Sequence, residues 1–256
     1  LNLPRSGFNI FRPGSLPGRQ GSLFFGREAY RAAEEAYFSR CPLAENGGAK
    51  INTMSRQPLL DEAVQGEVSL AEWFALPAEE LGELAAGRLV EEEAPSYVHE
   101  ILVILLGSLL RAWAVPRGGF VGGSEAKLAV GPKQGRRPDL TVYLAGTPLP
   151  PASGLITKPP DIAVEIVSPT PRDGRRDRVE KVADYAAFRV RYYWIVDPQL
   201  RSLEILRLGS QGRYEHLLGA TEGQVDIPGC DGFVLDLDSV WAEVERFEAR
   251  EAGTQD

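Results

Sequence analysis

Glu165 lies within Ile-Ala-Val-Glu-Ile-Val (162–167), where the neighbours on both sides demand burial. An ionised carboxylate in such a strand is strongly disfavoured unless it is paired or bound to a cation, so a positive group is expected beside it. The alternative is an edge position from which Glu165 faces water or pairs with an arginine. A second carboxylate, Asp139, stands in Arg136-Arg-Pro-Asp-Leu-Thr-Val-Tyr143, 26 positions earlier, at the start of another short strand. If the two strands are neighbours, the carboxylates converge at one end of a sheet and repel each other unless a divalent cation sits between them. Mg²⁺ suits such a place, because it takes oxygen ligands, keeps several waters and needs only one or two protein carboxylates. The third group is Lys181, in Arg178-Val-Glu-Lys-Val-Ala-Asp-Tyr185, one of five lysines against 23 arginines. A fixed ammonium near a metal can orient a water or stabilise charge on a phosphate. Asp177 and Lys181 also have the i,i+4 spacing of an ordinary surface ion pair.

Those residues need a scaffold, and the chain supplies its signals in order. Ser69-Leu-Ala-Glu72 is a capping box that opens a short helix through Trp73 and Phe74, ending near Pro77. Gly87–Val90 reads as a strand after a turn. Tyr97 to Val115 is apolar at nearly every position and predicts a long helix buried on most sides, with Glu100, Gly107 and Arg111 along its least apolar stripe. Phe120–Val130, Leu140–Leu144 and Ile162–Val167 have strand length and patterning, the last bounded by Pro160 and Ser168-Pro169. Helical spacing follows over Asp177–Phe188, then strands at Arg191–Val196, Ser202–Leu208 and Tyr214–Leu218, and a closing helix from Asp238 to about Glu248. This order predicts an α/β (α+β) fold, a mixed central sheet flanked by helices.

The ordered set of motifs resembles a known family. Gly87-Arg-Leu-Val-Glu91, Pro-Ser-x-x-His-Glu at 95–100, Arg-Pro-Asp at 137–139, Val-Glu-Ile-Val-Ser-Pro at 164–169, Glu-Lys at 180–181 with Tyr185, and Tyr-Trp-Ile-Val-Asp-Pro at 193–198 carry the likeness. Together they are similar to the Uma-type putative restriction endonucleases, a branch of the PD-(D/E)XK nuclease superfamily, from Ser69 to Val240. The resemblance implies a restriction-endonuclease-like fold and an endonuclease that hydrolyses DNA phosphodiester bonds with Mg²⁺ or Mn²⁺. It implies Asp139, Glu165 and the backbone carbonyl of Ile166 as metal ligands, a contribution from Glu100, and Lys181 as the catalytic lysine. The usual superfamily lysine lies two residues after the glutamate, at Val167 here, so the lysine is relocated to the helix. Arg189 stands where the family tends to close that helix with glycine. Asp197-Pro198 reads as a strand end and turn. His99 is either near the site or a capping or packing residue, and His216 has no companion motif.

Composition sets the outer bounds. A chain of 256 residues, 43% apolar, can bury one substantial core or a core with a modest appendage. Two cysteines, Cys41 and Cys230, cannot make a disulfide framework or a thiol zinc cluster, and a reducing cytoplasm is the default. No run reaches the ~20 uninterrupted apolar residues of a membrane span. The net charge of −8 argues against nonspecific coating of nucleic acid, although Lys133, Arg136, Arg137 and Arg172, Arg175, Arg176, Arg178 form two local basic clusters whose plainest reading is solvated loops. Residues 1–53 are rich in Gly and Pro, with one helical candidate near Arg27–Tyr37, and read as an extension upstream of a nuclease domain at 54–256. They lack a basic start followed by an apolar stretch, and Met54, the only methionine, offers a translation start. The segment holds seven Lys/Arg against four Asp/Glu, a net +3, leaving 21 against 32, or −11, in the body. That acidity keeps open a second reading, a catalytically inactive nucleic-acid-binding or protein-interaction module on the same fold. A homodimer is expected, since cutting both strands is easiest with two symmetry-related copies, and the apolar helix at 101–106 is a candidate interface.

Overall fold

The computed structural model describes residues 67–77, 82–90, 94–168 and 175–253. The extension over 1–53, its helix candidate, Met54, Glu91, Pro169 and Arg172 lie outside the described residues. The chain divides into a unit ending at Gln57 and a unit from Pro58 onward, and the description that follows concerns the second.

At its centre is a six-stranded mixed sheet. Its strands are β3 (Phe120–Gly122), β6 (Leu140–Tyr143), β7 (Ile162–Ile166), β8 (Tyr192–Asp197), β9 (Ser202–Leu208) and β10 (Tyr214–Ala220), in spatial order β10-β9-β8-β7-β6-β3. All neighbours are antiparallel except β7 and β8, which a crossover joins through a π-helical turn, Arg176–Glu180, and helix α3, Lys181–Phe188. A parallel pair needs such a crossover, because a tight turn cannot reverse the chain twice.

One face of this sheet carries Val142, Ile162, Val164, Ile166, Trp194, Val196, Leu203 and Ile205 against helices α2 (Tyr97–Ala114) and α4 (Leu237–Ala252). The other carries Ala163, Val167, Tyr193 and Ile195 against Tyr185 and Val190 and against a second, antiparallel sheet. That smaller sheet has the order β2-β1-β5-β4, from β1 (Glu83–Ala85), β2 (Arg88–Val90), β4 (Leu128–Gly131) and β5 (Gln134–Arg136). Strand alternation assigns Glu165 to the second face, between Ala163 and Val167. A ribbon of β11 (Gln224–Asp226) and β12 (Val234–Asp236) leads into α4.

The capping box forms as the sequence predicts. In α1 (Leu70–Ala75) the Ser69 hydroxyl accepts from Glu72 N–H while Glu72 reaches back to Ser69 N–H. Trp73 is fully buried and donates its indole N–H to the Gly82 carbonyl, and Gly135 leaves room for the ring. A methyl group at 135 would come within 2.3 Å of it.

Two expectations are corrected. The segment 120–130 is two strands in two different sheets, because Gly122-Gly123-Ser124-Glu125 offers neither bulk nor alternation and the chain leaves the sheet there. Helix α2 is buried along one face only. Leu102, Leu106 and Leu110 enter the core, whereas Tyr97 and Ile104 are each 69% exposed. Arg111 lies on that outer side, and Gly107 is turned to the sheet, where a Cβ would meet Leu140 at 3.2 Å. By length and composition Tyr97–Arg117 is apolar enough to cross a bilayer, yet its leucine stripe covers the sheet.

Candidate active site

The β6–β7 ladder pairs Leu140 with Val164 and Thr141 with Ala163. Continued by one position, this antiparallel register sets Asp139 opposite Glu165 at the end of the sheet. Asp139 folds back on that end, accepting from the Ile166 N–H through Oδ2 at 2.7 Å. Both carboxylates are buried, Asp139 at 9% and Glu165 at 3% exposure, and both line one cavity of about 140 Å³.

Lys181 enters the cavity from the crossover helix. Its ammonium lies 2.9 Å from Glu165 Oε2, 3.1 Å from Asp177 Oδ1 and 3.6 Å from Glu83 Oε1, and all four side chains are buried. The i,i+4 pair with Asp177 exists, but it is an interior pair and not a surface one. The π-helical turn admits an extra residue ahead of Lys181, whose N–H reaches back to the Arg176 carbonyl. Such turns recur at functional sites because they re-aim side chains along a helix. Here Arg176, Asp177 and Lys181 all face the cavity.

Burial pushes the Glu165 carboxyl well above the usual carboxylate range; Lys181 pulls it back, and the charges of Asp139, Asp177 and Glu83 add to the rise. Burial likewise raises Asp177 against the pull of Lys181. Tyr185 donates its hydroxyl to Glu165 Oε1 at 2.5 Å, and burial beside that charge holds the phenol well above its ordinary value. Tyr193 donates to the Asp177 carbonyl at 3.0 Å, fixing the turn.

His99 and Glu100 come from the first turn of α2, whose start is capped by the Ser96 hydroxyl. His99 Nε2 is 3.2 Å from Asp139 Oδ1 and Nδ1 is 3.3 Å from Glu100 Oε1. Burial lowers the imidazole pKa, but the two carboxylates, Asp139 foremost, outweigh it and the net shift is upward. Glu100 lines the cavity with its side chain 46% exposed, and its direct contact is with His99.

In the basic cluster at 133–137 the two arginines are buried, while Lys133 is exposed in a turn and pairs with Glu67. Arg136 is 1% exposed and clamps Glu83 through Nη1 at 2.6 Å and Asp184 through Nη2 at 2.6 Å. Glu83 also accepts from the Arg137 N–H at 3.0 Å. It thereby ties the strand leading to Asp139 to the helix bearing Lys181. In the second cluster Arg178 pairs with Asp197 and Glu204, and Arg176 is buried. Asp197 also accepts from the N–H groups of Gln199 and Leu200, the turn its sequence predicts.

All the residues singled out in the sequence therefore reach one cavity: Asp139, Glu165, Ile166, Lys181 and Glu100. The sequence reading left His99 ambiguous and did not single out Glu83 at all. Glu83 carries the same signal as Glu165, a carboxylate beside apolar strand residues, but it is hidden in a run of exposed-looking acids from Glu79 to Glu93. Among the described residues no three His, Cys, Asp or Glu side chains converge as a ready-made metal cluster. The donors on hand are the Asp139 and Glu165 carboxylates, with Asp177 lining the same cavity and Glu83 3.6 Å from Lys181. That is the chemistry of a hard dication that keeps most of its water, and the residues fit one.

The sequence pattern of the family described as "Uma2: Putative restriction endonuclease" matches residues 70–238. A solved structure from Anabaena variabilis, titled a putative nuclease belonging to DUF820, superposes with a TM-score of 0.57 at 16% identity, covering 68% of this chain and 98% of its own. At that identity the likeness shows the fold alone, a mixed sheet flanked by helices. No curated protein matches the chain.

Proposed function

Because the chain belongs to the Uma2 putative restriction endonuclease family, whose chemistry implies a nucleic-acid substrate, we propose that it is a metal-dependent endonuclease hydrolysing DNA phosphodiester bonds. The observation that carries this reading is the meeting of Asp139 and Glu165 across the β6–β7 register with Lys181 in the same buried cavity. Asp139, Glu165 and the Ile166 carbonyl would hold Mg²⁺ or Mn²⁺, with Glu100 contributing at the rim. A bound dication lowers the pKa of a water and offsets charge on the phosphate. Lys181 supplies a fixed ammonium that steadies the attacking water and the charge that develops on the phosphoryl oxygens. Tyr185 and Asp177 hold Glu165 and Lys181 in place, and His99 orients Asp139.

The enzyme acts as a homodimer in this reading, which the exposed apolar residues Tyr97 and Ile104 on α2 support; light scattering that returns a monomer mass at working concentration would remove that part. The competing reading, a catalytically inactive nucleic-acid-binding or protein-interaction module on the same fold, draws on the acidity of the body from residue 54 onward, 21 Lys/Arg against 32 Asp/Glu. One experiment separates the two. The full chain, Asp139→Ala and Lys181→Ala are incubated with supercoiled and linear DNA in Mg²⁺, Mn²⁺ or EDTA. Cleavage that requires metal and disappears in both variants is the expected result. Equal cleavage by all three proteins exposes a contaminant, and binding without cleavage by the wild type favours the module.

A further inference from the structure

Arg137 is held from behind and unfinished in front. Its backbone N–H is fixed to Glu83, and its side chain is 7% exposed against the cavity that also holds Asp139, Glu165 and Lys181. One arm of the guanidinium, Nη2, donates to Glu125 Oε2 at 2.8 Å. Nε is buried and has no hydrogen-bond partner among the described residues. Buried donors are almost always satisfied, and an exception in a cavity calls for an explanation in terms of use. Glu125 is itself 75% exposed, on the connection between β3 and β4 that interrupts the run 120–130.

Nε and Nη2 form the side-on fork of an arginine, two near-parallel N–H groups matched to two oxygens of one oxyanion. A single oxygen from a solvent-exposed carboxylate now uses one of them. A phosphate diester offers two oxygens to both, beside the cluster already described. Lys127, whose pKa is lowered by burial first and by the nearby Arg137 charge second, adds positive potential. Its own ammonium is engaged by the Trp73 carbonyl at 3.0 Å.

We infer that Arg137 is an anchor for a strand phosphate and that Glu125 is its placeholder, a carboxylate that a phosphate displaces when nucleic acid enters. The inference rests on the nuclease reading above and deepens it. The placeholder also screens the guanidinium from stray anions and makes binding depend on a ligand that can take both N–H groups.

The test is binding of a 20-base-pair fluorescent duplex to the full chain in Ca²⁺, by anisotropy across a salt series, for wild type, Glu125→Gln, Arg137→Gln and the double variant. Nonspecific binding to phosphates needs no cognate sequence. Glu125→Gln should bind roughly fivefold tighter than wild type, the scale of a partly exposed ion pair. Arg137→Gln should bind more weakly, with the salt slope reduced by about one, and the double variant should match Arg137→Gln. Where circular dichroism shows Arg137→Gln unfolded, Arg137→Met, which keeps the apolar stem and loses the charge and the fork, carries the same comparison, and the Glu125→Gln gain should vanish in that background. Tightening by Glu125→Gln that persists without Arg137, or an unchanged salt slope in Arg137→Gln, overturns the inference alone. A wild type that binds no duplex at any salt removes the nuclease reading and this inference with it.

Discussion

The Lys181 ammonium stands 2.9 Å from the Glu165 carboxylate, with side-chain exposures of 5% and 4%. Asp177 and Glu83 close the same cation from other sides, and Glu83 has a second buried cation in Arg136, so Lys181 is the main counter-charge of Glu165 and Asp177. Removing it should leave Glu165 and Asp177 without that cation, a loss that typically costs about 3–5 kcal/mol. Lys181→Ala is therefore expected to melt well below wild type, and to lose roughly 10²–10³ in cleavage rate if its ammonium stabilises developing charge. Mg²⁺ or Mn²⁺ should raise the melting temperature of the variant more than that of wild type, since a dication can replace the missing charge. Equal shifts in thermal melts with and without metal would show that the acids are not a cation site.

His99 bonds Asp139 from the side away from Ile166. Partners that orient a metal-binding side chain typically contribute 10- to 100-fold to metal affinity. His99→Gln should raise the Mg²⁺ concentration giving half-maximal cleavage by about tenfold while leaving the rate at saturating metal closer to wild type. A fall in the saturating rate at unchanged half-saturation would instead make His99 a participant in the chemistry.

Glu83 accepts from Arg136 and from the Arg137 backbone and lies 3.6 Å from Lys181. Burial raises its pKa, but Lys181, Arg136 and these hydrogen bonds prevail, and the net shift is below 4.5. A lowered folded-state pKa contributes stability that is present above the unfolded value and lost as pH falls through the folded one. Glu83→Gln should thus cost about 3 kcal/mol at pH 7. The gap to wild type in urea midpoints should stay constant down to about pH 5 and narrow only below 4.5. Narrowing already at pH 6 would contradict the assignment.

Arg189 closes helix α3 at φ +70°. Its position departs from the family's glycine, yet its backbone takes the left-handed conformation that glycine adopts without strain. Arg189→Gly should stabilise the protein by about 1 kcal/mol, raising the melting temperature by roughly 2–4 °C for a body of this size, with cleavage unchanged. A lower melting temperature would mean that the exposed guanidinium contributes more than the strain takes away.

Much of the scaffold was legible because its signals are local. The capping box at Ser69, the apolar strand at 162–166 and the Asp197 turn are decided by side chains within a few positions of one another. The break inside 120–130 was not, since a short glycine-rich stretch satisfies a strand pattern and only the pairing partners of each half show that they belong to different sheets. Apolar composition predicts the long helix buried on most sides because it says how much can be buried, whereas the sheet has room for one face.

Sequence by itself pointed to the chemistry: a carboxylate in an apolar strand calls for a positive partner, and the order Asp139, Glu165, Lys181 resembles that of a nuclease family. Tertiary structure alone decided how the charges are shared. It placed Glu83 between Arg136 and Lys181, buried Arg136, Arg137 and Arg176 where composition would leave them in solvent, set His99 against Asp139, and left Arg137 with a donor to spare. The reason is physical. Local spacing sets which face of a helix or strand a side chain occupies, but the free energy of a buried ion depends on every charge within a few ångströms, and about 50 residues of chain separate Glu83 from Arg136.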